Sequence, residues 1–359
     1  MVYYILIALL SFFSFIEQFK PPKADISILK YIACTIIIFI GGLRYEVGAD
    51  WFAYEKLFDG IESFSDLFLY REEKLFMIFQ YVCKTIFDSY SFFVFVLFTL
   101  TFYLKFKIFN KYSTDVFFSL IIYVYTLFLI YDVNGIRQGM AMTLVLMSIT
   151  AIKNKNKYLF ILLILAACLS HTSALIFVPF YWLSKIQISH KKFLLITFFT
   201  LVISVVVQKV ILNSSLFQYF LIMDSFSHYS YYLEDDAATK QISLISVPVF
   251  QRILVFGLFI MNYEKINLDI FLKQILMNGY FFGILIFLFL SFNSEYAARL
   301  SFYYKSFEII MIPLIISAQT KYYSKIILWL VFIVFSVVGL NRLLAIPDGG
   351  LIPYKTILF

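Results

Sequence analysis

The stretch ACTIIIFIGGLRYEVGADWF, residues 33–52, carries the chain from a run of isoleucine and phenylalanine directly to Arg44, Glu46 and Asp50. Residues 28–43 are almost continuously apolar, with no alternation that would mark a strand with one face in water. They imply a membrane span ending at Gly41 and Gly42. Arg44 and Asp50 then stand at its lip, with Gly48 between them to let the chain turn.

Composition extends that reading to the whole chain. Of 359 residues, 62% are hydrophobic and 14% charged, with 45 Phe and 27 Tyr. A soluble domain is about half apolar and a quarter charged. Such a chain must satisfy its backbone polar groups inside helices or a closed barrel. Long apolar runs, rather than short alternating segments, select helices. Apolar runs at 2–19, 28–43, 91–109, 115–131, 136–152, 191–212, 243–263, 270–292, 299–318 and 323–341 are candidate spans. The fold class expected is therefore an all-α polytopic integral membrane protein of about 10–12 transmembrane helices. Met1 leads straight into VYYILIALLSFFSF with no A-x-A cleavage site, so that run is read as a first span.

Two segments need separate treatment. Residues 72–87, EEKLFMIFQYVCKTIF, place Leu75, Phe76, Phe79, Val82, Cys83 and Ile86 at helical spacing, as in an interfacial helix. Residues 157–184 are too long for one span and too short for two, and their centre, Ser170-His171-Thr172-Ser173, is polar. The net charge of +7 resides in lysine clusters between apolar runs, a positive-inside pattern and not a nucleic-acid patch. Placing Lys20, Lys23 and Lys30, then Lys105, Lys107 and Lys111, then Lys153, Lys155 and Lys157 in the cytoplasm makes 157–184 a re-entrant hairpin with His171 at its tip. The outer face then receives 44–90, 132–135, the His171 tip, 213–242, 293–298 and 342–359. Residues 1–359 form one membrane domain in this reading, with external loops at about 44–90 and 213–242.

Nearly every polar residue without a loop or anchor role falls on that face. Asn134 is suited to cap the helix that Gly135, Ile136 and Arg137 open, with Gln138 next. An arginine at a helix N-terminus is unfavourable in the empty protein and well suited to a phosphate or diphosphate. A snorkelling headgroup anchor is the plainer alternative. NSEYAARLSFYYKSFE, residues 293–308, repeats the arrangement with Arg299. Arg252 lies in mid-span, where an ionisable side chain marks a function or a buried partner such as Glu308. Arg44 and Asp50 either converge on one external cavity or form a surface ion pair. Arg44, Arg137 and Arg299 together make a plausible diphosphate clamp. His171 is the one histidine inside an apolar run, either a hydrogen-bonded structural group or a base. The acidic run LEDDA, 233–237, is a metal candidate or a solvated loop. No zinc spacing, nucleotide fingerprint or serine elbow is present. Cys34, Cys83 and Cys168 lie among apolar residues and suggest no disulfide framework.

GLRYEVGADWFAYEKLF, NGIRQGMAMTLVL, LSHTSALIFVPFYWL, ARLSFYY and the terminal IPYK, in that order, resemble the EpsG-like proteins, a branch of the Wzy-type polymerases of bacterial surface polysaccharides. Family members carry E-P-G-F where this chain has EEKLF, so the match falls on Glu72 or Glu73. The resemblance implies a plasma-membrane enzyme, GT-C-like among the architectures expected. It would act at the outer face on polyprenyl-diphosphate-linked oligosaccharides and move the growing glycan onto a fresh lipid-linked repeat unit. A flippase and a chain-length regulator are the partners implied, with no nucleic acid, no cofactor and no metal. Asp50 is then the first candidate for the base, His171 the second and Glu73 the third. Arg44, Arg137, Gln138, Arg252, Arg299, Tyr354 and Lys355 are candidate substrate-binding residues. A polysaccharide ligase, a membrane O-acyltransferase using His171 and a lipid-linked oligosaccharide flippase are the rival functions.

Overall fold

The computed structural model describes residues 1–19, 26–211, 241–347 and 349–358. The 233–237 acidic run and most of the 213–242 loop lie outside the described residues. The chain is helical in the order α1 Val2–Phe19, α2 Ser27–Gly42, α3 Trp51–Asp59, α4 Lys74–Ile86, α5 Tyr90–Tyr112, α6 Val116–Tyr123, α7 Ile136–Lys153, α8 Lys157–Ser170, α9 His190–Val206, α10 Val247–Met261, α11 Ile270–Phe289, α12 Ser294–Lys305, α13 Glu308–Ser317 and α14 Tyr322–Leu344. A π-helical stretch, Val124–Asn134, prolongs α6. Polar residues start several of these helices. Asp115, Asn156, Asp269 and Asn293 each accept backbone N–H groups of the first turn at 2.9–3.0 Å, satisfying donors that have no partner within the helix.

Among the described residues, six segments are long and apolar enough to cross a membrane: Val2–Phe19, Tyr90–Tyr112, Val116–Asn134, Lys191–Lys209, Ile270–Phe289 and Tyr322–Leu344. Shorter apolar helices include α2, α8 and α10. The protein is an all-α polytopic membrane protein. One boundary differs from expectation and one break falls where the polar centre of its segment places it. The run 299–318 is divided between α12 and α13. The 157–184 segment breaks at His171 into α8 and a 3₁₀ turn, Thr172–Phe177. In α4, Phe76 and Cys83 of the expected apolar face are buried, Val82 and Ile86 are exposed, and Met77 and Gln80 also turn inward.

The described residues form two compact units. The first comprises Met1–Val178, Glu264–Asn267 and Glu308–Phe359; the second comprises Pro179–Tyr263 and Leu268–Phe307. In the first, α6 is buried all round, and Ser119 donates to the Ile309 carbonyl at 2.8 Å. Lys105, expected among the cytoplasmic lysines, is instead sealed in this core. Its ammonium lies 2.5 Å from Asp132 Oδ1, and the two side chains are 0% and 2% exposed. Tyr123 donates to the other Asp132 oxygen at 2.5 Å, and Lys105 also donates to the Gly139 carbonyl at 3.2 Å. A charge in an apolar interior must be paired and hydrogen-bonded in this way.

In the second unit, small residues let aromatic rings close on α11. A Cβ on Gly279 would stand 2.0 Å from the Phe307 ring, and one on Gly283 would stand 2.7 Å from Tyr304 Cβ. Arg252 of α10 is buried here. It donates to the Pro248 carbonyl at 3.1 Å and to Ser301 at 3.4 Å, and its guanidinium lies 3.6 Å from the Phe287 ring centroid. Arg299 of α12 pairs with Glu295 one turn earlier on its own helix.

Candidate active site

The site is built in the first unit from four loops. The first follows α2. Gly41 and Gly42 lie against the rings of Phe98 and Phe95, where a Cβ would be 2.2 and 2.9 Å away. That close approach brings α2 onto α5 and fixes where the chain leaves the helix. The C-terminal IPYK region then laces the turn. Tyr45 N–H donates to the Lys355 carbonyl at 3.1 Å, Ile357 N–H to Leu43 at 3.0 Å, and Gly48 N–H to Gly350 at 2.8 Å. Tyr354 donates to the Ile40 carbonyl at 3.0 Å, and Lys355 meets Glu46 at 2.5 Å. Lys355 lowers the Glu46 carboxyl below its usual range by that hydrogen bond and by its charge. Gly48 has φ +115°, which side chains rarely adopt, and a Cβ there would stand 2.9 Å from Asn134 Oδ1.

The second loop is 131–135. Asn134 does not cap α7, as the sequence suggests. Its carboxamide accepts Ala49 N–H at 2.9 Å, and Gly135 occupies the cap position. Asn134 therefore ties the first loop to the second. Gly139 is required just beyond, because a Cβ would lie 2.4 Å from Asp132 Oδ1.

This lacing decides the fate of Arg44. The sequence places it at an external lip, converging with Asp50. Instead it turns inward and is 2% exposed. It donates to the Gly41 carbonyl and, at 3.4 Å, to Val133, with Trp51 5.9 Å away. A small cavity beside it is lined by Val94, Leu97, Phe98, Thr101, Asp132 and Ile136. Asp50 is exposed at the start of α3. The two do not converge on one cavity.

Arg137 behaves differently. It leaves the first turn of α7 toward the third and fourth loops. Its Nη1 lies 2.8 Å from Glu73 Oε2, and its Nε donates to Tyr54 at 3.4 Å. The Tyr54 ring centroid is 5.6 Å from the guanidinium carbon. Glu73 stands at the start of α4, and its other oxygen accepts Thr172 N–H at 3.0 Å and the Thr172 hydroxyl at 3.3 Å. Thr172 follows His171, whose Nδ1 lies 2.6 Å from the Ser173 hydroxyl. Burial acts to raise the Glu73 carboxyl. The Thr172 N–H, the Arg137 charge and the nearby His171 outweigh it, so Glu73 is held below the usual carboxylate range. Burial, with lesser help from Asp50 and Glu73, raises the Tyr54 phenol against the opposing pull of Arg137. The Arg137 and Glu73 side chains remain 28% and 16% exposed. The pair is accessible, unlike Lys105 with Asp132.

Of the expected site residues, Arg137, Glu73 and the His171 loop come together, with Asp50 near enough to act on Tyr54. Gln138 is buried behind Arg137. Tyr354 and Lys355 hold the first loop, while Arg252 and Arg299 belong to the second unit. Of Glu72 and Glu73, it is Glu73 that pairs with Arg137 and accepts from Thr172. Tyr54 and Asp132 were not singled out from sequence. Tyr54 is one turn beyond Asp50 on α3, and Asp132 is an acid inside an apolar run, which is the signal that could have found it.

The model of the EpsG family matches residues 27–356. The chain belongs to the EpsG family. That family is Wzy-like and polymerase-type, and with it goes a polysaccharide-polymerase-type function in exopolysaccharide biosynthesis. The match covers α2 through the IPYK tail, hence all four loops that build the site in this EpsG protein. No curated protein and no solved structure matches the chain.

Proposed function

We propose that this EpsG protein is a glycosyltransferase that elongates a surface polysaccharide. The growing glycan leaves its polyprenyl diphosphate and joins a sugar hydroxyl of a second lipid-linked repeat unit. The observation that supports this reading most is the partly exposed Arg137, set in the first turn of α7 beside a carboxylate. A planar guanidinium at a helix N-terminus suits a diphosphate leaving group, and its charge stabilises the negative charge that develops as the glycosidic bond breaks. The acceptor hydroxyl needs a proton acceptor within hydrogen-bond reach, and Glu73, His171 and Asp50 are the candidates. The site would face the outside of a bacterial plasma membrane, supplied by a flippase and working with a chain-length regulator.

Purified protein given lipid-linked repeat units should produce a ladder on a gel. Arg137→Lys keeps the charge but loses the fork, and should lower the rate about a hundredfold, the scale of removing one transition-state donor. A full ladder from Arg137→Lys contradicts the diphosphate role. In cells, loss of the protein should leave single repeat units on the surface core, whereas a flippase would leave none. Asp50→Cys should react with a membrane-impermeant thiol reagent applied outside.

A further inference from the structure

Arg137 and Glu73 neutralise each other in the structure, which raises a question for any anion that would use Arg137. The Arg137 Nη1 contact goes to Glu73 Oε2, while Glu73 Oε1 is held independently by Thr172 N–H and hydroxyl. Glu73 is thus fastened by one oxygen to the His171 loop and offers the other to Arg137. Loss of the Arg137 contact would leave Glu73 anchored and still in the site. Tyr54 holds the opposite edge of the guanidinium through Nε, so Arg137 would also stay in place. The two side chains are 28% and 16% exposed, and each has a second partner besides the other.

We propose that the Arg137–Glu73 pair is an exchangeable latch. The lipid diphosphate displaces the Glu73 carboxylate from Arg137, and the Glu73 oxygen so released becomes the proton acceptor for transfer. This rests on the diphosphate reading above and names the base for it. The acceptor O–H gives its proton to Glu73 Oε2. The acceptor oxygen forms the new bond to the anomeric carbon. The bond from that carbon to the diphosphate oxygen breaks, and its electron pair leaves with the lipid diphosphate, held by Arg137. The coupling has a physical basis. A carboxylate bonded to arginine is a weak base, and one relieved of that partner is a stronger one. Proton acceptance therefore becomes efficient when a donor is bound, which discourages wasteful activation of water in the empty site.

The test uses the full-length protein in nanodiscs, with farnesyl diphosphate as the probe and binding followed by calorimetry. Glu73→Gln retains the side-chain shape and an oxygen for Thr172, but it gives Arg137 no charged competitor. It should bind the probe about tenfold more tightly than the natural protein, the scale of one charge-assisted hydrogen bond no longer to be displaced. It should produce no ladder. Glu73→Asp is too short to keep both contacts, and its probe affinity should fall between the two. Arg137→Gln should lose probe binding. Glu73→Gln that binds no tighter than the natural protein, while Arg137→Gln still loses binding, overturns the latch and leaves the diphosphate reading standing. Unchanged binding by Arg137→Gln overturns both. A ladder from Glu73→Gln removes Glu73 as the base.

Discussion

Two ion pairs in this EpsG protein stand on either side of Gly135 and have opposite characters. Lys105–Asp132 is closed off, with side chains 0% and 2% exposed and the remaining valences taken by Tyr123 and the Gly139 carbonyl. Arg137–Glu73 is reachable, at 28% and 16%, with each partner anchored by a third group. A charge pair that nothing can enter acts only on architecture. It fixes the 131–135 loop from which α7 and Arg137 depart. A pair open to solvent, with independent anchors, can exchange one anion for another. Proximity in sequence therefore says little about role, and burial together with the second set of partners says most.

The largest effects are expected at the closed pair. Lys105→Met leaves Asp132 charged in an apolar interior and should cost ~3–5 kcal/mol of stability, whereas Lys105→Met with Asp132→Leu should recover most of it. Equal loss in the single and double variants, measured by thermal unfolding in detergent, would show that the pair is not what couples these positions. A smaller effect belongs to the turn that sets the site. Gly48→Ala forces a side chain into φ +115° and against Asn134, and should cost ~1–3 kcal/mol. A melting temperature equal to that of the natural protein would break the link between the first and second loops.

The open pair should matter least to stability. Being partly exposed, it should contribute below ~1 kcal/mol. Because Glu73 is held below the usual carboxylate range, that contribution is present above its unfolded pKa and disappears as pH falls through the folded value. The melting-temperature difference between the natural protein and Glu73→Gln should therefore be seen at pH 7 and close in acid. A difference that widens in acid contradicts the assigned cause.

Much of the fold was legible. Apolar runs located nearly all the helices, because membrane helices must be long and apolar whatever their neighbours. The break at His171 followed from polar residues at a place where a helix could not continue. Other features depended on contacts far apart in sequence. Arg44 looked external because it stands at the end of an apolar run, yet it pairs with Thr356 near the far end of the chain and is buried. Lys105 looked cytoplasmic because lysines cluster around it, and only Asp132 explains its burial. The separation of α12 from α13 left no mark in hydropathy. At the site, Arg137 was visible from its place after Asn134 and Gly135. Glu73 is the third candidate base in the sequence because nothing local marks it, and its contacts to Arg137 and Thr172 join residues far apart in the chain.

The central claim is that chemistry resides at the open pair. The most direct measurement is the ladder made from lipid-linked repeat units by purified Glu73→Gln beside purified Asp50→Asn, each checked for folding by its melting temperature. Glu73→Gln should yield no product longer than the starting repeat unit, and Asp50→Asn should extend chains at a rate near that of the natural protein. Normal ladders from Glu73→Gln together with none from Asp50→Asn would contradict the account and move the base to the exposed start of α3.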